Sequence, residues 1–443
     1  METGDPNFNT FETTIRVLGG LLSAYELTGH DKLYLDRAIE LADRMLPFFD
    51  TESGLPLPNI NLAQRKGVPD PDLPFLVSTA EVSTLQLEFR YLSYLTEEET
   101  YWEKVEAKAA CSFVNLISAQ TGQFVPSAIR LGPRGDSHYE YLSKQYIQTN
   151  QTENVYREMY DDATNAVHGN LISKSPYSRM TYTSELIAER HGDGQLFVTF
   201  ISWRLTPKQD HLVCFFGGSL MLGATITGAA VIPDWKTGVE LVRSCVDTHD
   251  TKTRQCNGHI SRQVLPLIDI SKALAQVNQL RTMRDIFFGT GDRRVALLGL
   301  PSYWRHPLQT DWCWDIFQAI EKHCKVQTGG YASIVDEVPA QQEDKMETFL
   351  MSETLKYLFL LFKDASELPL DKYVLNIEGS IPCRDILLRL YLGPVNASGI
   401  SVALIFVSAY LRFGDSSSRR YGRWKYWCMG YIPWSWWCYG FIP

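Results

Sequence analysis

Two charged residues at the start of an apolar helix are the first candidates for chemistry in this sequence. Glu12 and Arg16 lie four residues apart, so they share one face of the helix that the apolar spacing of residues 15–25 predicts. At the head of a buried helix, these charges point into a cavity or across an interface, where a carboxylate could transfer a proton. The simpler interpretation is an ion pair at a helix N-terminus, which implies no function.

Three further acids, Glu81, Asp136 and Glu347, also lie at or near the start of an apolar helix. Structural alternatives exist, because Ser78 and Glu81 have the spacing of a capping box and Asp136 could be a helix N-cap. Acids at one end of alternate helices converge in a barrel, whereas in a solenoid they spread along a ridge. Converging carboxylates without a His/Cys metal-ligand set fit glycoside hydrolysis, in which one acid protonates the leaving oxygen and one base activates water.

The elements that must position these acids are predominantly helical, with almost no strands predicted. The sequence therefore indicates an all-α fold, either an α/α barrel or an α-solenoid. The periodicity weakens between about residues 251 and 311. Short strands or irregular segments are predicted over 180–189, 195–202 and 329–334, and helices over 10–28, 31–49, 78–92, 99–119, 136–142, 152–173, 312–320 and 344–357.

Composition and charge argue against nucleic-acid binding and against a zinc site. The 443 residues are 45% apolar, which is enough for a large core, and the net charge of −9 without a basic stripe argues against a nucleic-acid partner. The nine cysteines include no CxxC pair, so no zinc site is predicted. The polar start of the sequence predicts no signal peptide or anchor. His211 precedes an apolar run, where a histidine is more often structural than a ligand.

Five separate blocks carry a family resemblance. They are FETTIRVLGGLLSAY (11–25), AEV with QLEFR (80–90), DSHYEY (136–141), DHLVCFFGG (210–218) and DKMETF with ETLKY (344–357). Together they resemble the class I α-1,2-mannosidases, the family 47 glycoside hydrolases of N-glycan trimming, over roughly residues 6–250 and 311–378.

The resemblance implies a fold and a domain division. The fold is an all-α (α/α)7 barrel of helical hairpins, incomplete in this chain before the family's fourth helix and between about 251 and 310. The barrel domain is expected over 1–378, with 251–310 divergent, and a divergent aromatic-rich tail over 379–443.

The resemblance also implies an activity. It is that of a mannosyl-oligosaccharide 1,2-α-mannosidase, which is inverting and calcium-dependent and removes terminal α-1,2-linked mannose from high-mannose N-glycans on glycoproteins. The implied compartment is the lumen of the endoplasmic reticulum or Golgi, with membrane association only through an anchor that this sequence lacks.

Residue roles follow from the matched positions. Glu12 matches the general acid and Asp136 the second catalytic carboxylate, which helps to orient water. The family's calcium-ligating threonine is Ile377 here, which leaves only a backbone carbonyl as a weak Ca²⁺ ligand. Positions that match the mannose subsite are Arg16, Glu81, His211, Glu347 and, as its apolar floor, Phe349, and the positions that match the family's disulfide are Cys214 and Cys245.

The sequence departs from the family most clearly where the catalytic base is expected. Residues 251–311 contain neither the Gly-Leu-x-Pro-Glu block nor the Arg-Pro-Glu block, and the nearest acids, Asp269 and Asp285, match nothing. This departure keeps three alternatives open: a non-catalytic protein that binds high-mannose glycans, an inactive gene product, and a helical-repeat scaffold with no sugar function.

Overall fold

A computed structural model describes residues 6–106, 115–191, 199–227, 231–249, 308–337, 340–346, 350–362 and 373–376. The chain divides into two compact units, Met1–Arg384 and Asp385–Pro443, and every described residue belongs to the first. Two predicted regions, the divergent stretch up to residue 307 and the aromatic-rich tail 379–443, lie outside the described residues.

Helices dominate the described part of the chain, as the apolar spacing predicts. Residues Thr13–Leu18 form a π-helical segment that makes α1 and α2 continuous, and Leu350–Leu355 form a second such segment before α12. The helices are α1 (Thr10–Glu12), α2 (Gly19–Leu27), α3 (Lys32–Met45), α4 (Thr79–Ser83), α5 (Gln86–Thr96), α6 (Glu99–Glu106), α7 (Asp136–Gln148), α8 (Asn154–Asn170), α9 (Cys214–Thr227), α10 (Val231–His249), α11 (Leu308–His323) and α12 (Lys356–Phe362).

Short antiparallel strands are more frequent than the sequence predicts. They pair as β1–β2–β3, β4–β5–β6, β7–β8, β9–β10 and β11–β12. Their bounds are Asn7–Asn9, Asn59–Asn61, Lys66–Val68, Leu76–Ser78, Leu116–Ser118, Phe124–Val125, Ile172–Lys174, Thr181–Thr183, Glu185–His191, Thr199–Thr206, Ile334–Glu337 and Ala340–Gln342, in chain order. Most are two to four residues long, which is too short for alternation of apolar and polar residues to be read against the helical pattern.

Two predicted helices are wrong beyond their terminal one or two residues. The helix predicted over 99–119 cannot extend through Leu116–Ser118, because Ile117 is buried opposite Val77 in the β4–β5 pair. The helix predicted over 344–357 is not yet formed at residues 344–346, because the backbone of Lys345 pairs with Ser333, whose N–H donates to the Lys345 carbonyl at 2.8 Å. In both places, pairing with a distant segment overrides local periodicity.

Helix packing distinguishes the barrel from the solenoid. Helices α2, α5, α7 and α9 contact one another in succession and form an inner layer, and each packs against the helix that follows it in the chain, α3, α6, α8 and α10. The ring closes through Asn376, whose side-chain amide donates to the Ile15 carbonyl at 3.2 Å, across 361 residues of sequence. A solenoid would keep the ends of the chain apart, so this contact favours the barrel.

The core lies between these layers. One cluster of buried apolar side chains runs from α5 through α7, α9 and α10 to α12, and another joins α7, α8 and α9. Gly217 on α9 and Gly238 on α10 allow the two helices to touch, since a Cβ on Gly238 would lie 2.6 Å from the Gly217 carbonyl oxygen. Among the described residues, no helix combines the length and apolar character needed to cross a membrane.

Candidate active site

Asn9 connects the first two candidate acids. Its Oδ1 accepts from the Glu12 N–H at 2.9 Å, which caps helix α1, and its Nδ2 donates to Oε1 of Glu81 at 3.3 Å. The predicted pair is also present, with Arg16 Nε 2.5 Å from Glu12 Oε2. The Glu12 side chain is 45% exposed, so its carboxylate remains open to a ligand.

Glu81 forms the capping box that its spacing from Ser78 predicts. Its N–H donates to Ser78 Oγ at 3.1 Å and its Oε2 accepts from the Ser78 N–H at 3.0 Å, so the capping box is formed. The other carboxylate oxygen faces Asn9. Capping therefore fixes the side chain at the place where a ligand-binding carboxylate is expected.

Asp136 lies one position inside the helix rather than at its N-cap. Gly135 occupies the N-cap, and Asp136 Oδ1 accepts from the Ser137 N–H at 2.9 Å. Glycine is required before Asp136, because a Cβ there would lie 2.4 Å from the Arg130 carbonyl oxygen. The turn is joined to the helix of Glu81 by a hydrogen bond from the Ala80 N–H to the carbonyl of Arg134 at 3.1 Å.

His211 begins the 3₁₀ turn His211–Val213 that precedes α9. Its Nδ1 lies 3.1 Å from Asp210 Oδ1 without hydrogen-bond geometry. Burial lowers the pKa of His211, and the charge of Asp210 opposes that shift. The loop packs on the turn before Asp136, since a Cβ on Gly132 would lie 3.0 Å from the Asp210 Cβ.

These contacts link the segments that carry the predicted residues, and we call this group of segments the helix-start site. It is formed by the N-terminal ends of α1, α4 and α7 and by the turn before α9, and it carries Glu12, Arg16, Glu81, Asp136 and His211. The other predicted site positions, Glu347, Phe349 and Ile377, lie outside the described residues. Within the described part of the chain, no group of three or more His, Cys, Asp and Glu residues is placed to hold a metal ion.

A buried carboxyl, Glu88 on α5, was not predicted as a functional residue. Its side chain accepts from Asn376 Nδ2 at 2.6 Å and from the Tyr141 hydroxyl at 3.0 Å, and the residue is 1% exposed. Burial raises the pKa of Glu88 to about 7, although these hydrogen bonds and the charge of Lys144 favour the ionised form. The available signal was a lone acid between the apolar residues of the QLEFR block.

A buried ion pair lies on the same face of α7 as Asp136. Glu140 and Lys144 form an ion pair at 2.5 Å, and both side chains are almost completely buried. An unpaired charge is costly in a low-dielectric interior, so removal of either Glu140 or Lys144 should destabilise the folded state. The i,i+4 spacing predicts the pairing, but nothing in the sequence shows that it is inside the barrel.

The disulfide implied by the resemblance is present between Cys214 and Cys245, with a Cα–Cα distance of 6.0 Å. It ties the start of α9, next to His211, to α10. Cys324 is a free cysteine.

Removing this disulfide is expected to destabilise the protein. Cys245→Ala should lower the free energy of unfolding by about 3–4 kcal/mol, because the cross-link restricts the unfolded chain over a 31-residue separation. The measurement is chemical denaturation under non-reducing conditions. Cys324→Ala is the matched control and should leave unfolding within about 1 kcal/mol of wild type. Equal stability of Cys245→Ala and wild type would contradict the prediction.

The family model described as glycosyl hydrolase family 47 matches residues 1–262 and 304–381. The chain belongs to glycosyl hydrolase family 47. The matched ranges include all five positions of the helix-start site as well as Glu347, Phe349 and Ile377. The resemblance recognised in the sequence is therefore confirmed, and this family 47 chain is related to hydrolases of glycosidic bonds.

Curated relatives support the same family. The mannosyl-oligosaccharide 1,2-α-mannosidase of Candida albicans is 36% identical over 417 residues, with 85% of this chain and 69% of the relative covered. The endoplasmic reticulum enzyme of that name is 35% identical over 410 residues in Schizosaccharomyces pombe and 35% identical over 407 residues in Homo sapiens. Each covers 84% of this chain, which spans 74% of the first and 52% of the second.

A solved structure supports the fold. The α-1,2-mannosidase from Trichoderma reesei aligns with a TM-score of 0.65 and 22% identity, over 86% of this chain and 83% of that structure. The predicted α/α barrel is therefore confirmed, with the short strands described above as additions to the helical pattern.

Proposed function

We propose that this family 47 chain hydrolyses terminal α-1,2-linked mannose of high-mannose N-glycans on glycoproteins, with inversion at the anomeric carbon. The observation that supports this best is the linkage of Glu12, Glu81 and Asp136 at the helix-start site. Inverting hydrolysis needs two carboxylates on opposite sides of the sugar, one as acid and one for the attacking water. The relatives above carry the name of the same reaction.

Glu12 is the proposed general acid that protonates the leaving oxygen. Arg16, at 2.5 Å, fixes the orientation of its carboxylate, and the Asn9 cap fixes the backbone that carries it. Asp136 is the proposed carboxylate that orients water. It begins a different helix from that of Glu12, and a hydrogen bond joins the turn before it to α4. Removal of general acid–base assistance costs about 10²–10⁴-fold in rate.

The remaining positions are proposed to hold mannose hydroxyls. Glu81 offers carboxylate acceptors, and the lowered pKa of His211 keeps its ring neutral at pH 7, so it can both donate and accept. Arg16 offers donors. Glu347 and Phe349, which lie outside the described residues, are also proposed as mannose-binding positions.

Calcium is proposed to bind weakly. Ca²⁺ takes about 6–8 oxygen ligands, and isoleucine at position 377 offers only its backbone carbonyl where a threonine would add a hydroxyl. The described residues contain no cluster of His, Cys, Asp and Glu side chains that fits the ion.

Calcium binding predicts a shift in thermal stability. The melting temperature should rise with millimolar Ca²⁺ and rise further with a 1-deoxymannojirimycin-type iminosugar, because ligands of the folded state stabilise it, by about 2.7 kcal/mol at a hundredfold excess over Kd. Mg²⁺ is the control and should give a smaller shift, because it requires tighter octahedral coordination. The absence of any Ca²⁺ effect, with or without iminosugar, would contradict the proposed cofactor.

Mannose release tests the proposed activity directly. The purified chain should liberate free mannose from an oligosaccharide with a terminal α-1,2-linked mannose when calcium is added. No release would overturn the activity. Binding of the same oligosaccharide without release would then identify the glycan-binding alternative, which the missing base block favours.

The proposed location is the lumen of the endoplasmic reticulum or Golgi. Disulfides such as Cys214–Cys245 persist in oxidising compartments, and three relatives are named as endoplasmic reticulum enzymes. We also propose that residues 1–378 form the catalytic domain and that 379–443 lie outside it.

A further inference from the structure

The turn after α7 presents an unusual pair of residues. Asn150 and Gln151 both have left-handed backbone conformations, with φ of 51° and 62°. Their N–H groups donate to the carbonyls of Ile147 and Tyr146, at 2.9 and 2.8 Å, so the turn closes the end of the helix. With Thr152, these residues also form Asn-Gln-Thr, the acceptor pattern for N-linked glycosylation.

The acceptor pattern lies at the surface. Asn150 and Gln151 are partly exposed and Thr152 is exposed. Thr152 Oγ1 donates to the carbonyl of Thr149 at 2.6 Å, so the hydroxyl is held within the same turn. Val155, just after the turn at the start of α8, is 45% exposed, so the surface next to the acceptor pattern is open among the described residues.

We propose that Asn150 is an N-glycosylation site. Its side-chain nitrogen takes an oligosaccharide from a lipid-linked diphosphate donor. A bond forms between Nδ2 and the anomeric carbon, the bond from that carbon to the diphosphate oxygen breaks, the lipid diphosphate leaves, and the amide nitrogen loses one proton. The proposal rests on the lumenal location given under the proposed function, because this transfer occurs in the secretory pathway.

The position of the turn keeps the glycan away from the helix-start site. Asp136 begins α7 and Gln148 ends it, so the 13-residue helix separates the two places by about 20 Å. A glycan on Asn150 is therefore attached at the other end of α7 from Asp136. Loss of the glycan should not change the rate of mannose release.

The presence of asparagine at position 150 also has a structural explanation that involves no glycan. Asparagine is favoured in the left-handed conformation at helix ends, whether or not it carries a sugar. Asn150→Asp keeps a residue suited to that conformation and removes the acceptor nitrogen. Thr152→Ala removes the required hydroxyl without touching Asn150, and Thr152→Ser keeps it.

The experiment uses the full chain secreted from eukaryotic cells behind a cleavable signal peptide. A second acceptor pattern at Asn396 lies outside the described residues, so Asn396→Gln is the background for all variants. We expect peptide N-glycosidase to increase the gel mobility of the background chain and to convert residue 150 to aspartate in its peptide mass spectrum. Thr152→Ser should keep the glycan, whereas Asn150→Asp and Thr152→Ala should lose it.

The outcomes separate this proposal from the proposed function. An unmodified Asn150 in the secreted background chain, or a glycan that survives Thr152→Ala, overturns the glycosylation site. Mannose release by such an unmodified chain leaves the mannosidase proposal standing, and a glycosylated chain without mannose release does the reverse. The added signal peptide makes the result independent of the chain's own targeting.

Discussion

Glu12→Gln is expected to lower the rate of mannose release by about 10²–10⁴-fold, because glutamine cannot deliver a proton to the leaving oxygen. Glutamine keeps the size of the side chain and can still accept from Arg16, so the helix should form as before. The partly exposed Glu12–Arg16 pair contributes at most about 1 kcal/mol, and the melting temperature should change little. The measurement is kcat/KM with a terminal α-1,2-mannose substrate, paired with thermal unfolding.

Asp161→Asn is the matched control for this variant. Asp161 on α8 is also 45% exposed and pairs with the arginine four residues away, Arg157, at 2.6 Å, but it lies outside the helix-start site. Asp161→Asn should therefore retain the wild-type rate of mannose release. An unchanged rate in Glu12→Gln would remove the acid role of Glu12, and an equal fall in both variants would show that the effect is not specific to the site.

Glu88→Ala is expected to cause a large loss of stability. The substitution removes an acceptor of Asn376 Nδ2 and an acceptor of the Tyr141 hydroxyl, and it opens a cavity between α5 and α7. Buried donors without acceptors cost about 1–3 kcal/mol each, so we expect a loss of about 3 kcal/mol or more at pH 5. The measurement is chemical denaturation, and a loss below about 1 kcal/mol would contradict the role of Glu88 in closing the barrel.

Glu88→Gln isolates the titration of this carboxyl. Folding raises the pKa of Glu88 from 4.5 to about 7, so the folded state binds the extra proton between these values and its stability falls as pH rises through them. Glutamine does not titrate. The stability of Glu88→Gln relative to wild type should therefore increase by about 3 kcal/mol from pH 4.5 to pH 7.5.

The titration of Glu88 must be measured as the difference in unfolding free energy between Glu88→Gln and wild type. A buried histidine changes the pH dependence of stability in the opposite direction. Burial lowers the pKa of His138 from 6.5 to about 4, so its contribution to stability grows as pH rises between those values. This contribution is common to wild type and Glu88→Gln and cancels in the difference. The exposed Glu103→Gln is the control and should show no such divergence, whereas a Glu88→Gln curve parallel to wild type would contradict the raised pKa.

Local features of the site were accessible from the sequence. The Glu12–Arg16 pair and the Ser78–Glu81 capping box each depend on residues three or four apart on one helix, where spacing alone fixes proximity. The helical pattern and the family resemblance then predicted the barrel, and the solved structure supports that fold.

Long-range contacts were not accessible. Asn376 and Glu88 are 288 residues apart, and no spacing rule relates them. The bridge from Asn9 to Glu81 is similarly invisible, because it depends on how two helices are placed across 72 residues. The short strand Leu116–Ser118 is formed by pairing with Leu76–Ser78, so its helical periodicity was misleading.

The most direct test of the account is the ¹H NMR spectrum of the sugar at the moment of its release. Wild-type protein with calcium and a terminal α-1,2-mannose oligosaccharide should produce β-mannose first, which then converts to the α anomer in solution, because water attacks the face opposite the bond that Glu12 protonates. Glu12→Gln should produce no anomer on the same timescale. The appearance of α-mannose first would contradict inversion, and no mannose from the wild-type chain would contradict hydrolysis at the helix-start site.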